Sequence, residues 1–234
     1  MSGTDVKAMV GKRLIAQVLV YLSGLLVLAF GTALGILSDL GISPVISLPY
    51  AVHAVSGLGA GLTVALFFLI CIALQILILR GAFRWLDLSQ ILVSFVFGYL
   101  VDFALFVMDG LVPSTYLERL AMLAVSMILV AVGIGLYLEA KLINLPPEGL
   151  ILAIVSKAPN TSFHRVKIVM DCALVALAVT LTLAFLGSVY GVREGTALCA
   201  ILIGKLMSYT KKPTQYLLGR LGFYTIMEGV EGHG

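Results

Sequence analysis

Long apolar runs separated by short polar stretches make up most of the chain. A helix needs about 20 residues to cross the hydrocarbon layer of a bilayer. Six runs suit that role, although the last is short and draws on flanking residues, and they predict an all-α polytopic membrane protein. The predicted spanning helices cover residues 14–37, 62–79, 88–108, 119–138, 162–186 and 196–209.

Two further apolar runs, residues 44–55 and 146–156, are too short to cross and begin at Pro44 and Pro146. Proline suits the first turn of a helix, where a backbone N–H lacks a partner anyway. Each run has room for about three turns, roughly half of a spanning helix. We predict two re-entrant half-helices, because paired interrupted segments of this kind are typical of transporter binding sites.

The composition supports a membrane protein. The 234 residues are 61% hydrophobic and 12% charged, whereas soluble domains carry about 25% charged residues. Nothing in this balance indicates nucleic-acid binding. The run 14–37 exceeds the ~7–15 residues of a signal-peptide core, and no small-residue cleavage site follows it, so we expect it to remain as the first span. Cys71, Cys172 and Cys199 lie inside apolar runs without metal-ligand spacing, and we expect neither a metal site nor a cofactor.

The positions of lysine and arginine predict the orientation, because cytoplasmic loops carry the excess. With six spans and the N-terminus inside, the 15 basic residues lie on the cytoplasmic side except Arg119 and Arg193 outside and Lys205 within a span. If both half-helices crossed, giving eight spans, the asymmetry would be weaker. Six spans with both termini in the cytoplasm are therefore preferred.

The two halves of the chain resemble each other. A shift of 102 residues superposes Pro44 on Pro146, and after a four-residue insertion a shift of 106 superposes Gly81 on Gly187. Three spans in each half make the second enter the membrane with opposite polarity, which predicts two inverted repeats. The predicted divisions are a cytoplasmic leader (1–13), a first repeat (14–110), a second repeat (111–212) and a cytoplasmic tail (213–234). Other superposed pairs are Ala29 and Ala131, Gly31 and Gly133, and Gly98 and Gly204.

Three segments carry a family resemblance. The run Gly-Ile-Leu-Ser-Asp-Leu-Gly-Ile-Ser-Pro ending at Pro44, its counterpart ending at Pro146, and residues 193–204 resemble the YczE/YitT-like family of bacterial integral membrane proteins. The resemblance implies a multi-pass protein of the bacterial cytoplasmic membrane and, more weakly, transport. The second half departs from the family pattern, because Pro146 is followed by a second proline and Glu148.

The predicted site lies where the two half-helix tips meet. Glu148 falls in the first turn of the second half-helix, where the helix dipole favours a carboxylate. It predicts a site for a cation, a proton or an amine; the alternative is a carboxylate that only caps free N–H groups. The residues predicted to bind substrate or ion at the tips are Glu148, Pro44, Pro146, Ser43, Asn144 and Tyr50.

Three other ionisable residues inside the apolar runs are candidates for gating, since such groups are costly at membrane depth. Asp171 and Lys205 fall at similar predicted depths in the cytoplasmic half and could form an ion pair. The alternative is that Lys205 extends to the cytoplasmic surface. Asp102 lies in the third span and either lines the pathway or belongs to the outer interface.

These features predict a secondary transporter or facilitator of a small polar or charged solute. The alternative is a membrane subunit or scaffold that binds substrate and acts only with a partner complex. A membrane enzyme is the least favoured class, since the sequence has no catalytic motif and no phosphate-binding glycine loop. The expected partners are the lipid bilayer and a small molecule or ion, and a homodimer is compatible with the sequence.

Overall fold

The structure, a computed structural model, describes residues 3–158, 160–220 and 223. Within these residues the chain is helical and contains no strand. Two 3-10 helices, Arg80–Ala82 and Trp85–Leu88, connect the third and fourth α-helices. The α-helices are α1 (Gly3–Leu37), α2 (Pro44–Ser56), α3 (Ala60–Leu79), α4 (Ser89–Val107), α5 (Tyr116–Glu139), α6 (Pro146–Lys157), α7 (Phe163–Leu186) and α8 (Glu194–Arg220).

Among the described residues, five helices are long and apolar enough to cross a membrane. They lie within Gly11–Leu37, Ala60–Ala82, Ser89–Val107, Tyr116–Glu139 and Arg165–Leu186. Each corresponds to a predicted span. The sixth predicted span, residues 196–209, forms part of α8, which is not among the five. Lys205 interrupts its apolar run and two further lysines, at 211 and 212, close it.

The two short helices begin at the predicted prolines. α2 has 13 residues and α6 has 12, so that at 1.5 Å per residue each is about 20 Å long or shorter, less than the ~30 Å hydrocarbon layer. An irregular stretch precedes each, at residues 38–43 and 140–145. Proline at the first helical position removes a donor that would have no partner there.

The most extensive helix packing is the crossing of α1 and α5, with α4 on α1 and α8 on α5. α3 packs on α4 and α6, and α7 packs on α2. Glycines allow the α1–α5 crossing to be close. A Cβ added to Gly31 would lie 2.8 Å from the Val130 backbone nitrogen, and one added to Gly133 would lie 2.6 Å from the Leu28 backbone nitrogen.

The helices extend beyond the predicted membrane boundaries at both ends. α1 begins at Gly3 and so includes most of the predicted leader, and α8 continues through Pro213 into the predicted tail. Gln215 Nε2 donates to Glu139 Oε1 at 2.7 Å, and Leu218 is buried beside Leu136. These contacts hold the end of α8 on α5. Apart from Phe223, the predicted tail beyond residue 220 lies outside the described residues.

Candidate functional site

A cavity of about 720 Å³ lies between the first turns of α2 and α6. Ser43 and Pro44 line it from one tip, and Asn144 and Glu148 line it from the other. α1, α3, α4, α5, α7 and α8 complete the wall. Four of the six residues predicted to bind at the tips thus border one cavity, whereas Pro146 and Tyr50 do not.

Glu148 is a partly buried acidic residue of this wall. Pro146 and Pro147 open α6, which places Glu148 in the first turn. Its Oε2 is buried and has no hydrogen-bond partner within the described residues. The carboxylate interacts electrostatically with Lys167 and Asp171, which line the same cavity. A buried carboxylate oxygen without a partner is costly, because burial removes the hydration of the charge.

Two tyrosines surround Glu148. Tyr137, on α5, lines the cavity and is only 1% exposed. Tyr21, on α1, packs edge-on against it, with 6.1 Å between ring centroids. Both hydroxyls are near enough to interact electrostatically with Glu148, yet neither has a hydrogen-bond partner of acceptable geometry among the described residues. The three groups therefore lie close together, and the Tyr137 hydroxyl is within hydrogen-bonding reach of the Glu148 carboxylate.

The rest of the cavity near Glu148 is apolar. Phe68 and Phe97 stack with their ring centroids 5.7 Å apart and both line the cavity. Leu28 and Val130 contribute aliphatic surface. This mixture of an apolar wall and a few convergent polar groups is typical of small-molecule sites. Within the part of the chain that the structure describes, no three His, Cys, Asp or Glu side chains are grouped to hold a metal ion.

Asp171 pairs with Lys167 and not with Lys205. Lys167 precedes Asp171 by one helical turn on α7, and its Nζ lies 3.0 Å from Asp171 Oδ2. Lys205 is exposed on α8 and does not line the cavity. The predicted Asp171–Lys205 pair is therefore wrong. α8 packs on α5 and α7 packs on α2 and α6, so the two helices face each other across the cavity instead of meeting.

The remaining predicted residues lie outside the cavity. Pro146 is buried, and its carbonyl accepts a hydrogen bond from Gln75 Nε2 at 3.0 Å. Tyr50 stacks on Tyr190 at the other end of the molecule, with 5.6 Å between ring centroids. Asp102 Oδ1 accepts a hydrogen bond of 2.7 Å from the Gly61 N–H at the start of α3.

Sequence reasoning missed several residues that shape the site. Lys167 was counted only as a cytoplasmic basic residue, although its spacing of four residues from Asp171 is the signal for a helical ion pair. Gln75 and Gln90 exchange hydrogen bonds of 3.1 and 3.3 Å inside the protein. Polar amides inside apolar runs could have been noticed. No local signal, in contrast, identifies Tyr21 and Tyr137 as neighbours of Glu148.

The two ends of the cavity differ. The exposed residues that line the cavity include Lys141, Asn144 and Phe163, at the end formed by α5, α6 and α7, together with Leu152 in α6 and Ala200 in α8. At the other end, Leu40 and Ile42 are buried. The cavity thus reaches the surface beside the α5–α6 connection and is covered beside the α1–α2 connection.

Comparison with known proteins places the chain among membrane proteins without an assigned role. A family described as "family of unknown function (DUF6198)" matches residues 15–212. The uncharacterized membrane protein YczE of Bacillus subtilis (strain 168) is 27% identical over 200 residues, which cover 85% of this chain and 86% of that protein. This similarity confirms the resemblance to YczE-like proteins. No solved structure matches the chain.

Proposed function

We propose that this chain, which belongs to the family of unknown function DUF6198, is a secondary transporter or facilitator of a small polar or charged solute. The observation that carries the proposal is the buried, unpartnered Oε2 of Glu148 in a cavity between two short helices. Ionisable groups at membrane depth are kept chiefly where they bind or move something. In this proposal the chain is a carrier and not an enzyme.

The proposed topology has six spans and two re-entrant half-helices. α8 supplies the sixth span beside the five apolar helices, since its 27 residues exceed the ~20 needed. α2 and α6 are the half-helices, because each is shorter than the bilayer core. The irregular backbone at residues 41–43 and 143–145 is tolerated at depth because it borders protein and the cavity.

We also propose that the two halves are inverted repeats, and the backbone supports this. α1 ends at Leu37 and α5 ends at Glu139, 102 residues later, the spacing that separates Pro44 from Pro146. Within the two connections, Asp39 has φ 51° and Lys141 has φ 52°. A positive φ is uncommon for residues other than glycine, so its occurrence at both equivalent positions is specific support.

Side-chain contacts repeat in the same way. Gln17 Nε2 donates to the carbonyl of Ala140 in the α5–α6 connection at 2.9 Å. Its equivalent, Arg119, pairs with Asp39 in the α1–α2 connection. The close approach of Gly31 to Val130 likewise has its counterpart in that of Gly133 to Leu28. Reciprocal contacts of this kind are expected when two repeats are related by a two-fold axis.

The proposed location is the bacterial cytoplasmic membrane, with both termini in the cytoplasm. The excess of lysine and arginine in the loops supports this orientation. In it, the end of the cavity beside Lys141 faces the cytoplasm, and the end beside Asp39 faces outward. We use "inner end" and "outer end" for these two ends below.

The proposed solute is a small organic cation bearing N–H donors, such as a primary ammonium ion. Among the described residues, Glu148 Oε2 and the Tyr21 and Tyr137 hydroxyls have no hydrogen bond of good geometry, and a primary ammonium group offers three N–H donors. The carboxylate would compensate the positive charge, and the Tyr137 oxygen would accept a second hydrogen bond. Phe68 and Phe97 would contact the apolar part of the solute. The faces of their rings would also attract its positive charge.

The test is uptake into liposomes that contain the purified protein, with radiolabelled ethylammonium compared with acetate and glycerol. We expect ethylammonium uptake above that of empty liposomes, lowered about tenfold or more by Glu148→Gln, because a hydrogen-bonded charge is lost. Asp109→Asn, at an exposed loop position, is the matched control and should retain uptake.

Ethylammonium binding, measured separately as a thermal shift in detergent, distinguishes the outcomes. Uptake of no solute class, with or without Glu148, would contradict transport. Tight binding that depends on Glu148 but is never followed by uptake would instead favour a substrate-binding subunit that needs a partner complex.

A further inference from the structure

A cluster of charged residues covers the outer end of the cavity. Asp39 forms ion pairs with Arg119, from the first turn of α5, and with Arg193, from the α7–α8 connection. Arg193 Nη1 also donates to the Asp39 carbonyl at 2.7 Å. We call these three residues the outer clasp. It ties the α1–α2 connection of the first repeat to two elements of the second.

The backbone around the outer clasp is joined as well. The Ile42 N–H donates to the Gly191 carbonyl at 3.1 Å, and the Gly195 N–H donates to the Leu40 carbonyl at 2.8 Å. Gly41, with φ 109°, has no room for a Cβ, which would lie 2.9 Å from the Arg193 nitrogen. The outer end is therefore closed by direct contact between the first tip and the α7–α8 connection.

The repeat relation assigns a counterpart to this contact at the inner end. A shift of 102 residues takes Asp39 to Lys141, and the shift of 106 that applies to the later part of each repeat takes Asp87 to Arg193. At the first position the acid Asp39 corresponds to the base Lys141, and at the second the acid Asp87 corresponds to the base Arg193. Each pair therefore still combines one acid with one base. A random exchange of surface residues has no reason to preserve opposite charge at two related positions.

The inner pair is not formed in this structure. No ion pair joins Asp87 to Lys141, and no backbone hydrogen bond joins residues 142–144 to residues 80–88, within the described part of the chain. Lys141 and Asn144 are exposed, and Trp85 is 85% exposed.

We propose that two alternative ion pairs close the cavity, the outer clasp at one end and an Asp87–Lys141 pair at the other, and that each forms as the other separates. The structure described above is then the state in which the outer end is closed and the inner end is open. This inference rests on the proposed function only for its inverted repeats. Exchanging the conformations of two inverted repeats is a general route to alternating access.

The contacts that close the outer end are stronger than those that would close the inner end. This difference explains why the structure shows the outer-closed state. Asp39 contacts two arginines, whereas the equivalent of Arg119 in the first repeat is the neutral Gln17. Ile143 occupies the position equivalent to Gly41, so the inner backbone cannot approach as closely. Closure at the inner end therefore depends more on the side chains of Asp87 and Lys141 than on backbone hydrogen bonds, and the outer-closed state is favoured at rest.

Pulsed electron paramagnetic resonance in liposomes tests the proposal without any solute. Nitroxide labels are placed at Trp85→Cys and Asn144→Cys after Cys71, Cys172 and Cys199 are replaced by alanine. With the outer clasp intact, we expect mainly a long distance, with a small population at a short distance. Asp39→Lys should break both outer pairs, and Lys141 shows that lysine accepts this backbone geometry. The population with a short distance should rise about tenfold, as expected for losing more than one partly exposed ion pair.

Further variants assign the change to Asp87 and Lys141. In the Asp39→Lys background, Lys141→Glu should remove the short-distance population, and exchanging the charges with Asp87→Lys and Lys141→Asp should restore it. Asp109→Lys, a charge reversal at an exposed position away from the clasp, is the matched control and should leave the distances unchanged.

An unchanged distance distribution in Asp39→Lys, or a short-distance population that Lys141→Glu does not reduce, would overturn the proposal. These outcomes are independent of solute uptake. If the distances change as described but the protein takes up no solute, the proposal of two alternative ion pairs stands and the proposed transport function is rejected. If uptake depends on Glu148 but the distances are unchanged in every variant, the proposed transport function stands and the proposed exchange of ion pairs is rejected.

Discussion

Gly24 and Gly133 face each other backbone to backbone where α1 crosses α5. A Cβ added to Gly24 would lie 3.0 Å from the Gly133 carbonyl oxygen, and one added to Gly133 would lie 2.9 Å from the Gly24 carbonyl oxygen. Neighbouring backbone atoms are closer still, at 2.6 Å in each case. The two helices at the crossing are therefore held at a distance that only glycine permits.

Replacing either glycine by alanine should destabilise the protein. We expect Gly133→Ala to lower the free energy of unfolding by about 1–3 kcal/mol, because the added methyl group forces the helices apart. Thermal unfolding in detergent measures the effect. Gly11→Ala, with no atom within 4 Å of the added Cβ, is the control and should be neutral or slightly stabilising. Equal stability of Gly133→Ala and Gly11→Ala would contradict the close crossing.

The ion pair of Lys167 and Asp171 gives a second prediction. The Asp171 side chain is 12% exposed and that of Lys167 is 42% exposed. Lys167→Met leaves the more buried partner without a cation and should cost about 1–3 kcal/mol, below the value for a fully buried pair. Asp171→Asn should cost less, because the lysine can reach solvent. Thermal unfolding of both single variants and the double variant measures the coupling.

Lys205→Met is the control for this pair. Lys205 is exposed on another helix, so its replacement should change stability little and should show no coupling to Asp171→Asn. Coupling of Lys205 with Asp171 at least as strong as that of Lys167 would reinstate the pair expected from the sequence.

The amides of Gln75 and Gln90 give a third prediction. Gln75 Nε2 donates to Gln90 Oε1 and to the Pro146 carbonyl, and so connects α3 and α4 to the first turn of α6. Gln75→Leu should cost about 1–2 kcal/mol, because buried polar groups lose their partners. Since Gln90 bonds back to Gln75, the double variant with Gln90→Leu should lose less than the sum of the single variants. Additive losses in thermal unfolding would show that the two amides act separately.

Local signals in the sequence were sufficient to predict most of the helices and the positions of the two tips. Apolar runs of spanning length, and Pro44 and Pro146 at the start of short runs, specify α2 and α6 directly, because proline fixes φ and removes a donor. Glu148 was singled out from its position alone, and the structure places it in the cavity wall. Such features depend only on neighbouring residues, which is why they could be predicted.

Features that depend on which helices become neighbours could not be predicted. Asp171 was assigned the wrong partner because depth in the membrane does not determine which helices touch. Tyr21 and Tyr137 meet Glu148 only through the crossing of α1 and α5. The continuation of α8 through Pro213 depends on packing against α5, which offsets the poor helical preference of an internal proline.

Asp102 gives the fourth prediction, and it concerns stability instead of gating. Its carboxylate accepts a hydrogen bond from the Gly61 N–H, one of the first N–H groups of α3, which have no partner within their own helix. Asp102→Ala should therefore cost about 1 kcal/mol, as loss of a helix cap does, and Asp102→Asn should cost less because its amide oxygen can still accept.

Because Asp102 lies outside the cavity, ethylammonium affinity should be unchanged in both variants. Thermal unfolding and the thermal shift with ethylammonium, made on the same samples, separate the two effects. A tenfold loss of affinity in Asp102→Asn at unchanged stability would place Asp102 in the pathway after all, since only a contact with the solute would act in that way.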